Sequence, residues 1–476
     1  MTGQKNLVTK RVALIISSTS SFVTPFMGSA INIALPQIGR DFSVHVVYLS
    51  WLVTAYLLAT AVFLVPLGRL ADICGRRKIF LWGIAVFTLA SLLAAVSWNP
   101  HVLLLARILQ GFGNSMVFGT GVAILISVYP PYERGKALGI NVASVYAGLS
   151  LGPTLGGLLT YHLGWRSIFL LTVLLGILVL VMVILKLQGE WVGAAGEEFD
   201  LKGSLLYGGT VLTLMYGFTR LTSPYGPLLV VIGLGGLFFF IWRELRVESP
   251  VLEMRLFRRN ITFTFSNLAA LINYSATFAV GFLLSLYLQY VKGLSEQEAG
   301  LVLVFQPLMQ VIISPFAGKL SDRVEPRLVA SVGMGFSSLG VALLVFLSGE
   351  TPIWYVILCS IILGCGFGLF SSPNTNAVMS AVEKKFYGVA SGVLSTMRLM
   401  GQMFSMGIVT LLLTVYMGEA QITPANHQSF LQSVNLSFII FSVLCALGIA
   451  ASLARGNQRL PSREEEGGTC VRKGEP

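Results

Sequence analysis

Charge is what this chain has least of. Only 11% of its 476 residues are Asp, Glu, Lys or Arg, while 55% are hydrophobic. A soluble domain carries about 25% charged residues. A chain this long cannot cover a water-facing surface with so little charge, so it belongs in lipid. Histidine is also scarce. The four present, His45, His101, His162 and His427, all fall near the outer edges of apolar runs. With no His, Cys and Asp gathered in or beside those runs, neither metal ligation nor acid–base catalysis has the groups it needs. No metal, cofactor or catalytic residue is expected. The five cysteines show no paired spacing, which removes a disulfide framework and a zinc site. The net charge of +11 is not gathered into a patch, so nucleic acid is not an expected partner.

What the chain has in abundance is apolar runs. A bilayer core about 30 Å thick takes roughly 20 apolar residues per helix. Fourteen runs qualify, at 12–35, 47–68, 79–97, 102–127, 137–163, 166–187, 203–221, 225–242, 262–291, 297–317, 328–348, 353–378, 389–416 and 430–454. The first follows Lys10 and Arg11 as a signal peptide would, but it is longer than a cleavable core of roughly 7–15 residues. The pair at 203–242 is just long enough, with Tyr225-Gly226-Pro227 as its turn. With the N-terminus inside, 26 of the 32 Lys and Arg fall on the inner side, four on the outer side (Arg40, Arg166, Arg220, Lys292) and two within helices (Arg107, Arg398). That bias predicts cytoplasmic termini. It would be unchanged by a twelve-span reading in which 203–242 lies on the surface.

The chain repeats itself. Gly68-Arg69-Leu70-Ala71-Asp72 and Gly318-Lys319-Leu320-Ser321-Asp322 are 250 residues apart, and Gly111-Phe112-Gly113 and Gly366-Phe367-Gly368 are 255 apart. Gly135–Gly139 and Gly388–Gly392, and Gly148 and Gly401, are each 253 apart. These offsets predict two homologous six-helix halves with the 203–242 pair inserted between them, and a site between the halves near the midplane. The expected segments are 1–190 (first bundle), 191–255 (loops and insert), 256–456 (second bundle) and 457–476 (cytoplasmic tail).

At this point the residues resemble a known family. Gly68 through Lys78, with Gly75, Arg76 and Arg77, is similar to the signature loop between helices 2 and 3 of the major facilitator superfamily. Trp51, Thr54 and Tyr56 before it, and Asn32 through Pro36, resemble its fourteen-helix drug:proton antiporter branch. Arg107 through Gly111 looks like the fourth-helix motif. Gly148 through Gly157, with Gly152, Pro153, Gly156 and Gly157, resembles the fifth-helix motif of antiporters. The resemblance implies an all-α major facilitator fold and an exporter in the cell membrane. It also implies a gating role for Asp72, paired with an Arg and with a helix N-terminus of the other half. The bland reading of the same loop is a topology anchor. One departure stands out: the branch carries an Asp nine residues before Pro36, and this chain has Met27.

Candidate cavity residues follow from polarity inside apolar runs. Arg107 shares a helical face with Gln110 and Asn114, and either lines a cavity or snorkels to the nearby helix end. Arg398 lies about 14 Å into its helix at 1.5 Å per residue, too deep to snorkel. Asn32, Tyr56, Asn273, Tyr274 and Gln306 complete the set, each also readable as a helix–helix hydrogen bond or as packing. Gly148, Gly152 and Gly156 recur every four residues, a smooth face for a close, bendable contact. All 21 Asp and Glu fall at helix ends, in loops or in tails. The buried carboxylate that proton coupling generally uses is therefore missing. The expectation is a monomeric, alternating-access exporter of small amphiphilic organic molecules, with protons as a candidate co-substrate. The alternative is an uncoupled facilitator or uptake carrier of an anionic metabolite.

Overall fold

The computed structural model describes residues 2–194, 196–247, 250–252, 257, 260–321, 323–383 and 387–455. They form fourteen helical spans. The first six are α1 Thr2–Phe42, α2 Val46–Cys74, α3 Arg76–Ala95, α4 Pro100–Val128, α5 Pro131–Leu163 and α6 Arg166–Lys186; the insert is α7 Leu201–Thr219 and α8 Gly226–Glu244. The second half comprises α9 Ile261–Val291, α10 Glu296–Ser321, α11 Pro326–Leu344, α12 Ile353–Ser380, α13 Tyr387–Met417 and α14 His427–Leu453. All but α7 are both long and apolar enough to cross a membrane by composition alone. Helix α7 spends its apolarity on Gly, Thr and Tyr, because it faces protein. Its Tyr207 hydroxyl donates to the Ala61 carbonyl of α2, and its Phe218 ring packs on Phe404 of α13. The expected insert is therefore a helical hairpin packed among the other spans.

Local sequence explains where the helices start. Asn99 caps α4 by accepting from Val102 N–H at 2.8 Å, with Pro100 in the first turn. Ser295 and Glu298 form a reciprocal capping box at the start of α10. The tight α2–α3 turn is made at Gly75, whose φ of +112° suits glycine. Helix α9 is not continuous: it breaks at Phe278–Ala279 and ends in a wide π-turn over Tyr287–Val291.

The duplication is visible as a repeated set of glycine contacts. Gly111 presses on the α2 backbone at Tyr56 and on Ala59, and Gly364 presses on α10 at Gln306 and Met309, each partner 250 residues on. Gly113 meets Gly83 and Phe87 of α3; Gly366 meets Gly333 and Ser337 of α11, again 250 on. Gly148 meets Phe22 and Phe26 of α1, and Gly401 meets Leu271 and Ser275 of α9, 249 on. By contact, then, α12 is the counterpart of α4 at an offset of 253. The expected pairing of Gly111-Phe112-Gly113 with Gly366-Phe367-Gly368 at 255 is a coincidence of spelling, two residues out of register.

Candidate functional site

The halves meet most firmly on the side where α1 ends and α14 begins, and the contact is prepared by proline. Pro36 has no N–H, so the Asn32 carbonyl, four residues earlier, lacks its helical donor. The Ser285 hydroxyl of α9 supplies one at 2.7 Å, and Gln289 Nε2 donates to the next carbonyl, Ile33, at 3.1 Å. Tyr290 donates to the Pro36 carbonyl at 3.4 Å, and Arg40 pairs with Glu296 at 2.5 Å. On the other flank, Thr410 of α13 donates to Ser50 of α2 at 3.0 Å. A β-carbon on Gly157 would lie 2.5 Å from the Glu296 carbonyl, and one on Gly300 would strike that of Pro153. Among the described residues, hydrogen bonds joining the halves run from this end only as far as mid-span, where Tyr146 of α5 donates to Ser371 of α12 at 3.3 Å. The cleft is therefore open on the side where α1 begins and α14 ends.

The fifth-helix motif divides its labour accordingly. Gly148, Gly152 and Gly156 all press on α1, at Phe22, Ser29 and Ala30, within one half. Pro153 and Gly157 face the other half, at Gly300 and Glu296. The four-residue glycine spacing, expected to give a smooth face for a close contact, meets α1 within one half.

The signature loop sits at the open end. Gly68 of α2 lies against Gly119 of α4, 3.5 Å from a β-carbon built there. Asp72 accepts from Arg76 Nε at 2.8 Å, and Arg76 also donates to Ser127 of α4 at 2.7 Å. The linker after α6 wraps this loop. Gly193 and Ala194 N–H both donate to the Asp72 carbonyl at 2.9 Å, and Arg76 N–H donates to the Trp191 carbonyl at 3.0 Å. Glu190 accepts from Arg77 N–H at 2.8 Å and from Lys78 N–H at 3.2 Å, so it, not Asp72, caps the positive end of α3. Arg69 pairs with Glu197. The Arg partner expected for Asp72 is present, and every partner named here belongs to the first half or its linker. Asp322, the second-half counterpart, lies outside the described residues. Glu190 was missed because a capping acid in the linker three residues past an apolar run carries no periodic signal.

Arg107 does not reach the cleft. It is 0% exposed. Its Nε donates to the Leu52 carbonyl at 3.0 Å and its Nη1 to Gln110 Oε1 at 2.8 Å, with its guanidinium 4.4 Å over the Tyr56 ring. Gln110 in turn donates to Ser91 at 2.8 Å, and Asn114 reaches Thr60 at 3.5 Å. These four expected cavity residues, Tyr56, Arg107, Gln110 and Asn114, instead tie α2, α3 and α4 together inside one half. Met27, in the place of the branch's Asp, is likewise 0% exposed and lies 3.5 Å from Thr172 of α6.

Arg398 is different. It is partly exposed and donates to Thr375 at 2.7 Å; its guanidinium lies 5.7 Å over the Tyr274 ring, while its Nε has no partner. Tyr274 packs edge-on against Phe367 at 5.1 Å and lies beside Tyr146 and Ser371. Thus α9, α12 and α13 bring Tyr274, Phe367, Ser371, Thr375 and Arg398 to the one place where α5 crosses over with Tyr146. The adjacent Asn273 and Asn374 are buried with both amide atoms unpaired. Gln306 is partly buried, with its backbone held against Gly364. Ser371 and Thr375 were missed, since isolated hydroxyls in an apolar helix ordinarily bond to their own backbone.

The duplication shows how unlike the two walls are. The contact-derived offsets pair Tyr274 with Pro25, Ser371 with Phe118, Thr375 with Val122 and Arg398 with Val145. Phe118 is 40% exposed, and the other three are partly exposed. A groove of about 340 Å³ runs between α1 and α5, lined by Ile15, Ser18, Thr19, Phe22, Ser144 and Ala147. The cationic, hydroxyl-bearing side chains of the second half thus have apolar counterparts in the first.

Two pseudo-symmetric six-helix bundles around a cleft closed at one end, spanning a membrane, define a carrier of small molecules. The description Major Facilitator Superfamily matches residues 18–243 and 267–470, and the chain belongs to that family. It is 30% identical to the riboflavin transporter RibZ of Clostridioides difficile, over 92% of this chain and 96% of that one. It is 32% identical to the cephamycin export protein CmcT of Amycolatopsis lactamdurans, over 92% of each, and 30% identical to the multidrug resistance protein Stp of Mycobacterium tuberculosis, over 86% and 77%. Its fold is similar to that of a bacterial homologue of the lysosomal transporter Spinster, solved inward-facing and unoccupied, with a TM-score of 0.69, 16% identity and coverage of 94% and 97%.

Proposed function

We propose that this transporter exports small amphiphilic organic compounds from the cytoplasm across the cell membrane by alternating access, with both termini cytoplasmic. The observation that carries the reading is the two-faced cleft: Tyr274, Ser371, Thr375 and Arg398 of the second half with apolar counterparts Phe118, Val122 and Val145 in the first, open at the end that carries most of the basic residues. Such a cleft takes a molecule with one polar end and one greasy body from the cytoplasmic side. Relatives named for multidrug resistance and cephamycin export support the direction. Uptake of an anionic metabolite is the second reading, favoured by the unpaired cation Arg398; the relative named as a riboflavin transporter carries no direction in its name. The proton antiport implied by the branch finds no mid-span carboxylate among the described residues, and Met27 occupies the usual position. Inverted vesicles and right-side-out vesicles from cells expressing the protein, challenged with cationic, neutral and anionic aromatic dyes, decide the matter. Energised accumulation in inverted vesicles supports export. Accumulation confined to right-side-out vesicles supports uptake, and no protein-dependent flux in either overturns the reading.

A further inference from the structure

The cleft holds a positive charge that no acid among the described residues balances. Arg398 is tethered only to a hydroxyl and a phenyl face, and no ion pair of the described residues involves it. The groups gathered around it from α9, α12 and α5 are Tyr274, Thr375, Ser371 and Tyr146, all of them hydroxyl-bearing and none of them a carboxylate. An intramembrane guanidinium without a counter-ion ordinarily faces its partner's charge. Arg398 is partly exposed and has guanidinium donors beyond the one spent on Thr375, and the planar fork of a guanidinium is the geometry that recognises a carboxylate. A cationic drug would meet Arg398 across a low-dielectric gap with no acid to hold it.

We propose that the exported compounds are organic anions, a carboxylate or similar group seated on Arg398 with a flat apolar body against Phe118 and Val122, and that their export is driven by the membrane potential. This rests on the export reading above. With the substrate's charge as the only charge that moves, each turnover carries one negative charge outward. A membrane negative inside pulls that charge out. A 100 mV potential corresponds to roughly 2.3 kcal/mol per charge, or about a 50-fold concentration ratio, without any proton exchanged. The missing first-helix acid is then no defect: an anion leaving a negative interior needs no proton to be paid for.

Proteoliposomes with a potassium gradient and valinomycin test this, using matched carboxylate, primary alcohol and primary amine derivatives of naphthalene, anthracene and phenazine. The expected result is protein-dependent flux of the carboxylates alone. That flux should reverse with the sign of the imposed potential and stay unaltered when a pH gradient is collapsed. Arg398→Gln should reduce it at least about tenfold and Arg398→Lys by less. Thr375→Val, which keeps the size of the side chain, should weaken apparent affinity several-fold while leaving the melting temperature in place. Flux of amines or alcohols with idle carboxylates overturns the anion assignment and leaves the export reading standing. Carboxylate flux that follows pH and ignores potential overturns the electrical drive. No flux of any derivative on any ring overturns both this inference and the reading beneath it.

Discussion

A charge in a membrane protein has to be judged by what its donors touch. Arg107 and Arg398 look alike in the sequence, each a lone cation in an apolar run. Depth favoured Arg398, and the structure gives the physical distinction: Arg107 spends two donors on Leu52 and Gln110 within one bundle, and Arg398 spends one on Thr375 beside the cleft. The two should therefore fail in different ways. Arg107→Gln leaves buried acceptors without their donor, a loss of about 1–3 kcal/mol each. It is expected to lower the melting temperature and membrane yield while the protein that does fold keeps its KM. Arg398→Gln is expected to raise KM or abolish flux at an unchanged melting temperature. The reverse pattern, measured by scanning fluorimetry and flux on the same preparations, would exchange their roles. Met27 obeys the same logic. It faces Thr172 of α6 in a 0% exposed site, so Met27→Asp buries a carboxyl in a packed bundle without placing it in the cleft. Loss of stability, not a new pH dependence of transport, is the expected outcome, to be read from the melting temperature and from substrate affinity between about pH 5 and 8.

At the level of helices, the seam between α1 and α9 shows how a sequence motif becomes a contact. Pro36 removes the donor for the Asn32 carbonyl, and Ser285 replaces it from the other half. Because this bond exists only while the halves are closed at this end, removing it should bias the conformational equilibrium more than the fold. Ser285→Ala leaves a freed carbonyl unsatisfied, at about 1–3 kcal/mol, or roughly a 5- to 150-fold shift toward opening at that end. A cysteine placed at Gln289 should then react faster with a membrane-impermeant maleimide; an unchanged rate would mean that the carbonyl finds another donor. Gly157→Ala, which pushes on the Glu296 carbonyl, should act in the same direction, whereas Gly156→Ala, aimed at Ala30 within the bundle, should cost stability instead. The sequence showed a glycine stripe and a proline but not which face of α5 turned to which neighbour. Spacing of four identifies a smooth face, while its partner is fixed by how two halves dock, a contact between residues more than a hundred apart.

For the whole molecule, the fourteen spans and the two halves were legible because both rest on signals repeated many times: apolar length, basic clusters, glycines at a shared offset. The cleft was legible only in part, since Tyr274 and Arg398 announce themselves by polarity, whereas Ser371 and Thr375 look like any helix hydroxyls. Four of the expected cavity residues proved to be bundle glue. The α7–α8 hairpin was the weakest reading, and it supplies the sharpest test of the whole arrangement. Helix α7, rich in Gly, Thr and Tyr, is the least apolar of the fourteen runs, yet Tyr207 and Phe218 fasten it to α2 and α13 along its length. If it crosses the membrane beside them, Lys202 and Tyr225, at its two flanks, lie on opposite sides. The distribution of 26 basic residues against four sets which is which: Lys202 inside, Tyr225 outside. Single cysteines in a cysteine-free background should thus be labelled from the cytoplasm at Lys136 and Lys202, and from outside at Asn99, Tyr225 and Glu350. Labelling of Lys202 and Tyr225 from the same side would lay the hairpin on the surface and leave twelve spans. Labelling of Asn99 from the cytoplasm would invert the molecule, and with it the direction in which the open cleft loads.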